Sequence, residues 1–238
     1  MKVEPLKDKT LCIVIPVYNE EKTIAEILDR VINVSIEGIN KQIIVVDDKS
    51  TDSTINILKE IPVKYPDIKV IFKDKNEGKG SALKAGFAAA EGDFIIVQDA
   101  DLEYDPEDYK AMLDSFRRSE VDVVYGSRFL GKHRAFLFLN YVANKILNLV
   151  TNILYDTTLT DMETCYKMFK AHLIKGIDIK SKGFEIEPEI TAKMLKKKAK
   201  IYEVPISFYG RSYDEGKKIK AIDGFRAMWA LIKYRFVD

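Results

Sequence analysis

Histidine is almost absent from this 238-residue chain. His133 and His172 stand far apart, and neither has carboxylate or thiol neighbours at metal-ligand spacing. That argues against a histidine metal centre, and no G-x-S-x-G elbow offers a hydrolase nucleophile. Cysteine is equally scarce. Cys12 and Cys165 lie in apolar contexts, cannot build a disulfide framework and are expected to be buried thiols in a reducing compartment. No G-x-G-x-x-G follows the first apolar run, which disfavours a nicotinamide cofactor. Repeats, low-complexity tracts and linkers are missing, so one continuous domain over residues 1–238 is expected. The N-terminal MKVEPLKDKT has no apolar core ahead of a cleavage site, so no signal peptide is expected.

No uninterrupted hydrophobic run is long enough to cross a bilayer. Residues 135–155 come nearest, but Asn140, Asn144, Asn148 and Asn152 recur every four residues and Lys145 joins them. That spacing gathers the amides on one helical stripe, costly in hydrocarbon, and predicts a helix partly buried in protein or lying at a membrane surface. The net charge is only +1, and no nucleic-acid partner is expected. The distribution is less even. Residues 1–120 carry 24 Asp/Glu against 17 Lys/Arg, whereas residues 175–235 carry 15 Lys/Arg against 8 Asp/Glu. An acidic front half suits a cation and a basic back half suits anionic groups, although solvated helix faces account for the charges equally well.

What is present is an alternation of strand and helix signals. Apolar runs at 11–17, 42–47, 70–72, 93–98 and 121–125 are separated by helical spacing at 20–34, 51–61, 80–90 and 106–118. Strands without polar alternation are covered on both faces, and this order predicts an α/β fold: a doubly wound, mostly parallel sheet. The rhythm fades later in the chain. A helix is expected around 188–198, a strand at 201–208, a charged loop at 210–218 and a last helix near 219–236.

In such sheets ligands gather at the carboxyl ends of the strands. Acidic groups crowd there in Asp47, Asp48 and Asp52 and again in Asp99, Asp101 and Glu103. The first set could equally cap a helix, with Ser50 or Asp52 opening it. The second has less structural reason to exist, and its hard oxygens suit Mg²⁺ or Mn²⁺. The loop Lys75–Gly80 leads into a helix whose N-terminus could receive an anion.

Taken together, I-V-I-P-V-Y-N-E at 13–20, V-V-D-D-x-S-T-D at 45–52, N-x-G-K-G-x-A at 76–82 and D-A-D at 99–101 resemble the family 2 glycosyltransferases of the GT-A fold. G-S-R at 126–128, V-P-I-S-F at 204–208 and the basic loop 211–217 narrow the resemblance to dolichyl-phosphate and polyprenyl-phosphate sugar synthases.

The resemblance implies an inverting transfer from a UDP- or GDP-sugar to a polyprenyl phosphate, at the inner membrane face of the cytoplasm. Pro16, Tyr18, Glu20, Val46 and Asp48 match nucleobase and ribose positions. Asp99, Ala100 and Asp101 match the metal–diphosphate motif, with Glu103 a further ligand. Arg128 matches the acceptor-phosphate contact, and Arg211 with Lys217 (or Lys218) matches the donor grip. The half at 10–130 would then bind the nucleotide sugar, and the half at 131–238 the acceptor. Asp161 is expected to line the sugar or acceptor side. Two positions depart from the mannosyl enzymes: Asn140 stands where they have a second arginine, leaving His133 or Arg134 to substitute, and Glu185, Glu187 and Glu189 follow where they have a lysine. The basic segment 193–200 and the aromatic tail at Trp229 would rest on lipid headgroups. A membrane partner subunit or a homo-oligomer also enters as an expectation. A soluble hydroxyl acceptor is the alternative, with Asp161, Glu185 or Glu189 as base.

Overall fold

A computed structural model describes residues 5–135, 137–211 and 221–237. Seven strands form one sheet: β1 (Lys9–Val17), β2 (Ile39–Asp47), β3 (Ile68–Phe72), β4 (Phe94–Val97), β5 (Val123–Ser127), β6 (Lys167–Lys170) and β7 (Ile201–Pro205). Their spatial order is β3-β2-β1-β4-β6-β5-β7. Only β6 runs antiparallel to its neighbours β4 and β5. The expected α/β sheet is therefore present.

Both faces of the sheet are covered, which is why its strands lack polar alternation. Leu11, Ile13, Ile15 and Val17 of β1 point into one core with helices α1 (Ile24–Asn33), α2 (Thr54–Lys64) and α4 (Tyr109–Ser115). Cys12 and Val14 point into the other, with α3 (Lys79–Ala89), α6 (Ala171–Lys175) and α7 (Ile186–Lys196). Helix α3 lies close on β1 because Gly86 faces Val14: a Cβ there would sit 2.2 Å from Val14 Cγ1. Two long helices flank this body. The helix α5 (Phe138–Tyr155) packs on α8 (Ala221–Phe236) through Leu147, Met162, Ala227 and Leu231, and α8 meets α7 through Ala192, Ala230 and Tyr234.

Several boundaries differ from expectation for local reasons. Helix α2 starts after Ser53 rather than Ser50, while Asp52 accepts from the Thr54 amide (3.0 Å) and Asp47 closes the preceding turn by accepting from Ser50 N. The segment opened by Pro106 begins as a short 3-10 turn capped by Asp105 and ends as helix at Ser115, not Arg118. The strand β7 stops at Pro205, which cannot donate to a ladder, leaving Phe208 in isolated bridges to Tyr104 and His133. The charged loop lies largely at 212–220, outside the described residues, and Lys217 and Lys218 with it.

Candidate active site

The three strands that end at the acidic clusters each turn through a non-glycine residue in the left-handed region: Asn19 after β1 (φ 52°), Lys49 after β2 (φ 66°) and Leu102 after β4 (φ 64°). Such backbone costs on the order of 1–3 kcal/mol and persists only where neighbours fix it. Here they do. The Asn19 amide donates to Ser50 Oγ (3.0 Å) and the Thr51 amide donates to Asn19 Oδ1 (2.8 Å), locking the first two turns together. Behind the third, buried Gln98 accepts from the hydroxyls of Tyr109 and Tyr166 and donates to the Asp99 carbonyl (3.0 Å).

At the end of β2, Asp48 is buried and engaged. Its carboxylate pairs with Lys73 and accepts from the amides of Gly78 (2.6 Å) and Glu77 (3.1 Å). Pro16 is half-buried, Tyr18 lies on the surface, and Ala100 packs into the core. Val46, expected beside the nucleobase, has no exposed surface. It is filled in against α3 and supports its neighbours instead. The anion site expected at the start of α3 is also corrected: the Gly80 and Ser81 amides donate to the Lys182 carbonyl (2.7 and 3.3 Å). Glycine is required for that approach, since a Cβ on Gly78 (φ +97°) would lie 2.5 Å from the same oxygen.

Beyond β4, Arg211 sits among three carboxylates. Its Nη2 is 2.9 Å from Asp101, its Nε 3.6 Å from Glu103 and its Nη1 3.7 Å from Glu20, while its backbone amide donates to Glu103 (2.7 Å). Burial, then the charges of Asp99 and Glu103, push the Asp101 carboxyl up to about 7 despite Arg211. Among the described residues no three acidic, histidine or cysteine side chains already surround a metal position. The donors nonetheless fit a hard divalent cation: two crowded carboxylates, Asp101 and Glu103, whose mutual repulsion such a charge would relieve.

Asp99 is held differently. Lys79 turns inward from the first position of α3 and lies 2.7 Å from Asp99, 3.0 Å from Cys165 Sγ and 3.7 Å from Glu187. Burial alone would raise the Asp99 pKa, but Lys79 brings it below the usual range. Burial pushes the Cys165 thiol well up, so it stays protonated beside the lysine. Lys167 pairs with the far oxygen of Glu187 and donates to the Thr164 carbonyl (2.7 Å). Asp99 is thus neutralised by a buried lysine, and Asp101 with Glu103 are the carboxylates facing Arg211.

Just after β5, Arg128 is clamped by Asp161. Its Nε and Nη2 reach the two carboxylate oxygens at 2.8 and 2.7 Å, and its amide adds a third bond at 2.8 Å. Burial would lower the Arg128 pKa, but Asp161 holds it well above its ordinary value. Nη1 makes no hydrogen bond among the described residues. The asparagine stripe of α5 explains the placement of Asp161. Asn148 donates to the Thr160 carbonyl and accepts from the Met162 amide (2.7 Å), and Asn152 donates to the Leu159 carbonyl (3.0 Å). Glu203 holds the same loop through the amides of Thr160 and Asp161. Asn144 reaches Arg128 itself at 3.4 Å. Arg134 Nη1 donates to the Gly210 carbonyl (3.4 Å) and His133 forms an isolated bridge with Phe208, so both brace the 208–211 segment.

The outer face of α5 is apolar: Phe138, Leu139, Ile146, Leu149 and Ile153 are all exposed. On α8, Ile222, Phe225, Trp229, Ile232 and Phe236 form a second exposed stripe beside Arg226 and Lys233. Trp229 is 65% exposed, so it is no core residue. Of the basic segment, Lys193 is buried against Glu189 (2.7 Å), whereas Lys197, Lys198 and Lys200 face solvent. No helix among the described residues is long and apolar enough to cross a membrane.

Sequence reasoning missed Lys79 as a member of the site. The flanking glycines of G-K-G marked a close approach, but nothing local showed that the lysine turns inward.

Similar proteins have the same shape. Glucosyl-3-phosphoglycerate synthase from Mycobacterium tuberculosis, solved with Mn²⁺, UDP and glucosyl-3-phosphoglycerate, superposes with a TM-score of 0.74 at 18% identity, covering 97% of this chain and 81% of that one. The fold is GT-A. Dolichol-phosphate mannosyltransferase from Pyrococcus furiosus is 32% identical over 93% of this chain. Dodecaprenyl-phosphate galacturonate synthase from Rhizobium johnstonii is 26% identical over 90% of it. The chain spans 63% of the length of each of these two relatives. A model of glycosyl transferase family 2 matches residues 12–177, the stretch that holds both acidic strand ends and the Arg128–Asp161 pair, and the chain belongs to that family.

Proposed function

We propose that this chain transfers a sugar from a nucleoside diphosphate sugar to a polyprenyl phosphate, inverting the anomeric centre, while resting on the cytoplasmic face of a membrane. One observation carries the reading: two charged stations sit at strand ends, Asp101 and Glu103 with Arg211 after β4, and Arg128 with Asp161 after β5. The first suits a diphosphate and the second a phosphate.

In this reading Pro16, Tyr18, Glu20 and Asp48 frame the nucleoside. Asp101 and Glu103 hold Mg²⁺ or Mn²⁺, which supplies charge neutralisation to the departing diphosphate when bound. Arg211 and Lys217 grip the same diphosphate; a contact of this kind is worth about 2–4 kcal/mol of barrier, or ~10²–10³ in rate. The acceptor is already an anion, so it needs orientation by Arg128 more than a base. The hydroxyl-acceptor alternative needs a carboxylate base; Asp161 is tied to Arg128, and Glu189 to Lys193 and the amides of Lys180 and Ser181, which leaves Glu185, accepting from the Gly183 amide (3.3 Å), as its candidate. The relatives named for dolichol phosphate and dodecaprenyl phosphate support the lipid, and the UDP and Mn²⁺ of the solved neighbour support the donor class and the metal. The exposed stripes of α5 and α8 match a membrane surface.

The test is transfer of radiolabelled sugar from nucleotide donors into membrane lipid extract, with and without EDTA. Label entering the organic phase only with divalent metal is expected. Label accumulating on aqueous acceptors would overturn the lipid assignment.

A further inference from the structure

In sequence between Asp161, which pairs with Arg128, and Cys165, which contacts Lys79, one carboxyl has no partner among the described residues. Glu163 makes no hydrogen bond and no ion pair with any described residue, and its Oε1 is buried. Glu187 Oε1 is buried without a hydrogen bond as well, although its other oxygen pairs with Lys167. A buried carboxyl oxygen without a hydrogen bond is costly: among the described residues Glu163 Oε1 has no donor, and Glu187 Oε1 has only the Lys79 ammonium, 3.7 Å away. Their place is informative. Glu187 lies 3.7 Å from the lysine that holds Asp99, at the donor end, while Glu163 feels the charges of Lys167, Glu187, Arg128 and Asp161, reaching to the acceptor end. In a transfer reaction the group between a diphosphate and an acceptor phosphate is the sugar itself, and its hydroxyls are hydrogen-bond donors.

We propose that Glu163 and Glu187 read the hydroxyls of the transferred sugar and restrict the donor to sugars that carry no carboxylate of their own. This rests on the donor reading above. The charge balance supports it. Lys79 pairs with Asp99, Lys167 with Glu187, Arg128 with Asp161, and Arg211 with Asp101. Among the described residues each of these four cations already faces a carboxylate while Glu163 is left over, and the extra acid would repel a uronate. Burial raises the Glu163 pKa to about 7, so near neutral pH it can both accept and donate toward a neutral hexose.

The experiment is calorimetric binding to the purified chain with Mn²⁺, using UDP, UDP-glucose, UDP-glucuronate, GDP and GDP-mannose. One neutral sugar nucleotide should bind more tightly than its own nucleoside diphosphate, and UDP-glucuronate no more tightly than UDP. E163Q should lose about 10- to 100-fold of the sugar-dependent affinity, as expected for a hydrogen bond to a charged group, and should bind UDP-glucuronate better than wild type. Its affinity for the bare diphosphates and its melting temperature should not move. E187Q should lose sugar-dependent affinity in the same way, with melting checked because Lys167 then loses its partner. Unchanged sugar affinity in E163Q, or wild-type binding of UDP-glucuronate more tightly than UDP, would overturn the inference while leaving the donor reading intact. No binding of either diphosphate would overturn both.

Discussion

Replacing Asp161 isolates what the Arg128 clamp is worth. Asp161 is fully buried, and Arg128 spends three hydrogen bonds of 2.7–2.8 Å on it. Removing one partner of such a pair leaves a buried charge uncompensated, at about 3–5 kcal/mol. A domain of this size has a stability of about 5–15 kcal/mol, so D161A should shift the urea midpoint far down. R128M/D161L removes both charges and should recover about 2 kcal/mol or more of that loss, a coupling that a double-mutant cycle reads directly. Activity supplies the second half of the test. If Asp161 only positions Arg128, D161N raises KM for the lipid phosphate about 10- to 100-fold, leaves KM for the nucleotide sugar alone, and adds nothing in the R128A background. A D161N loss that multiplies with R128A, or that removes a limb of the pH profile, would refute positioning and make Asp161 a proton acceptor in its own right.

Two further outcomes follow from the geometry. Asp101, raised to about 7 mainly by burial, is protonated below that pH in the metal-free chain. Its contribution to stability is therefore fully present below about pH 4 and lost as pH rises through about 7. Mn²⁺ must displace that proton, so its affinity should climb ~10-fold per pH unit up to about 7 and then level off, with proton release read by calorimetry in buffers of different ionisation enthalpy. At the α3–β1 contact, Gly86→Ala places a Cβ 2.2 Å from Val14 Cγ1 and should cost about 1–3 kcal/mol in chemical denaturation. Paired with Val14→Ala, it should recover.

The acidic strand ends were legible because they break a local rule: carboxylates clustered after apolar strands have little reason to be there unless they bind something. The asparagine stripe was legible as a stripe, since a four-residue period maps onto one helix face. What those amides do was not. They hold the loop at 159–162, which follows α5 and folds back along it, so the bonds span 7, 12 and 14 residues, beyond the reach of helical periodicity.

The sequence alone determined the sheet, its two covered faces and the strand ends where ligands collect, because hydrophobic period and turn chemistry are properties of neighbouring residues. Only the tertiary structure decided which carboxylates were neutralised. Lys73 found Asp48, Lys79 found Asp99 and Arg211 found Asp101, across 25, 20 and 110 residues of chain, while Glu163 found no partner at all. Charge pairing depends on distance in space and on burial, and neither is written in the order of the residues.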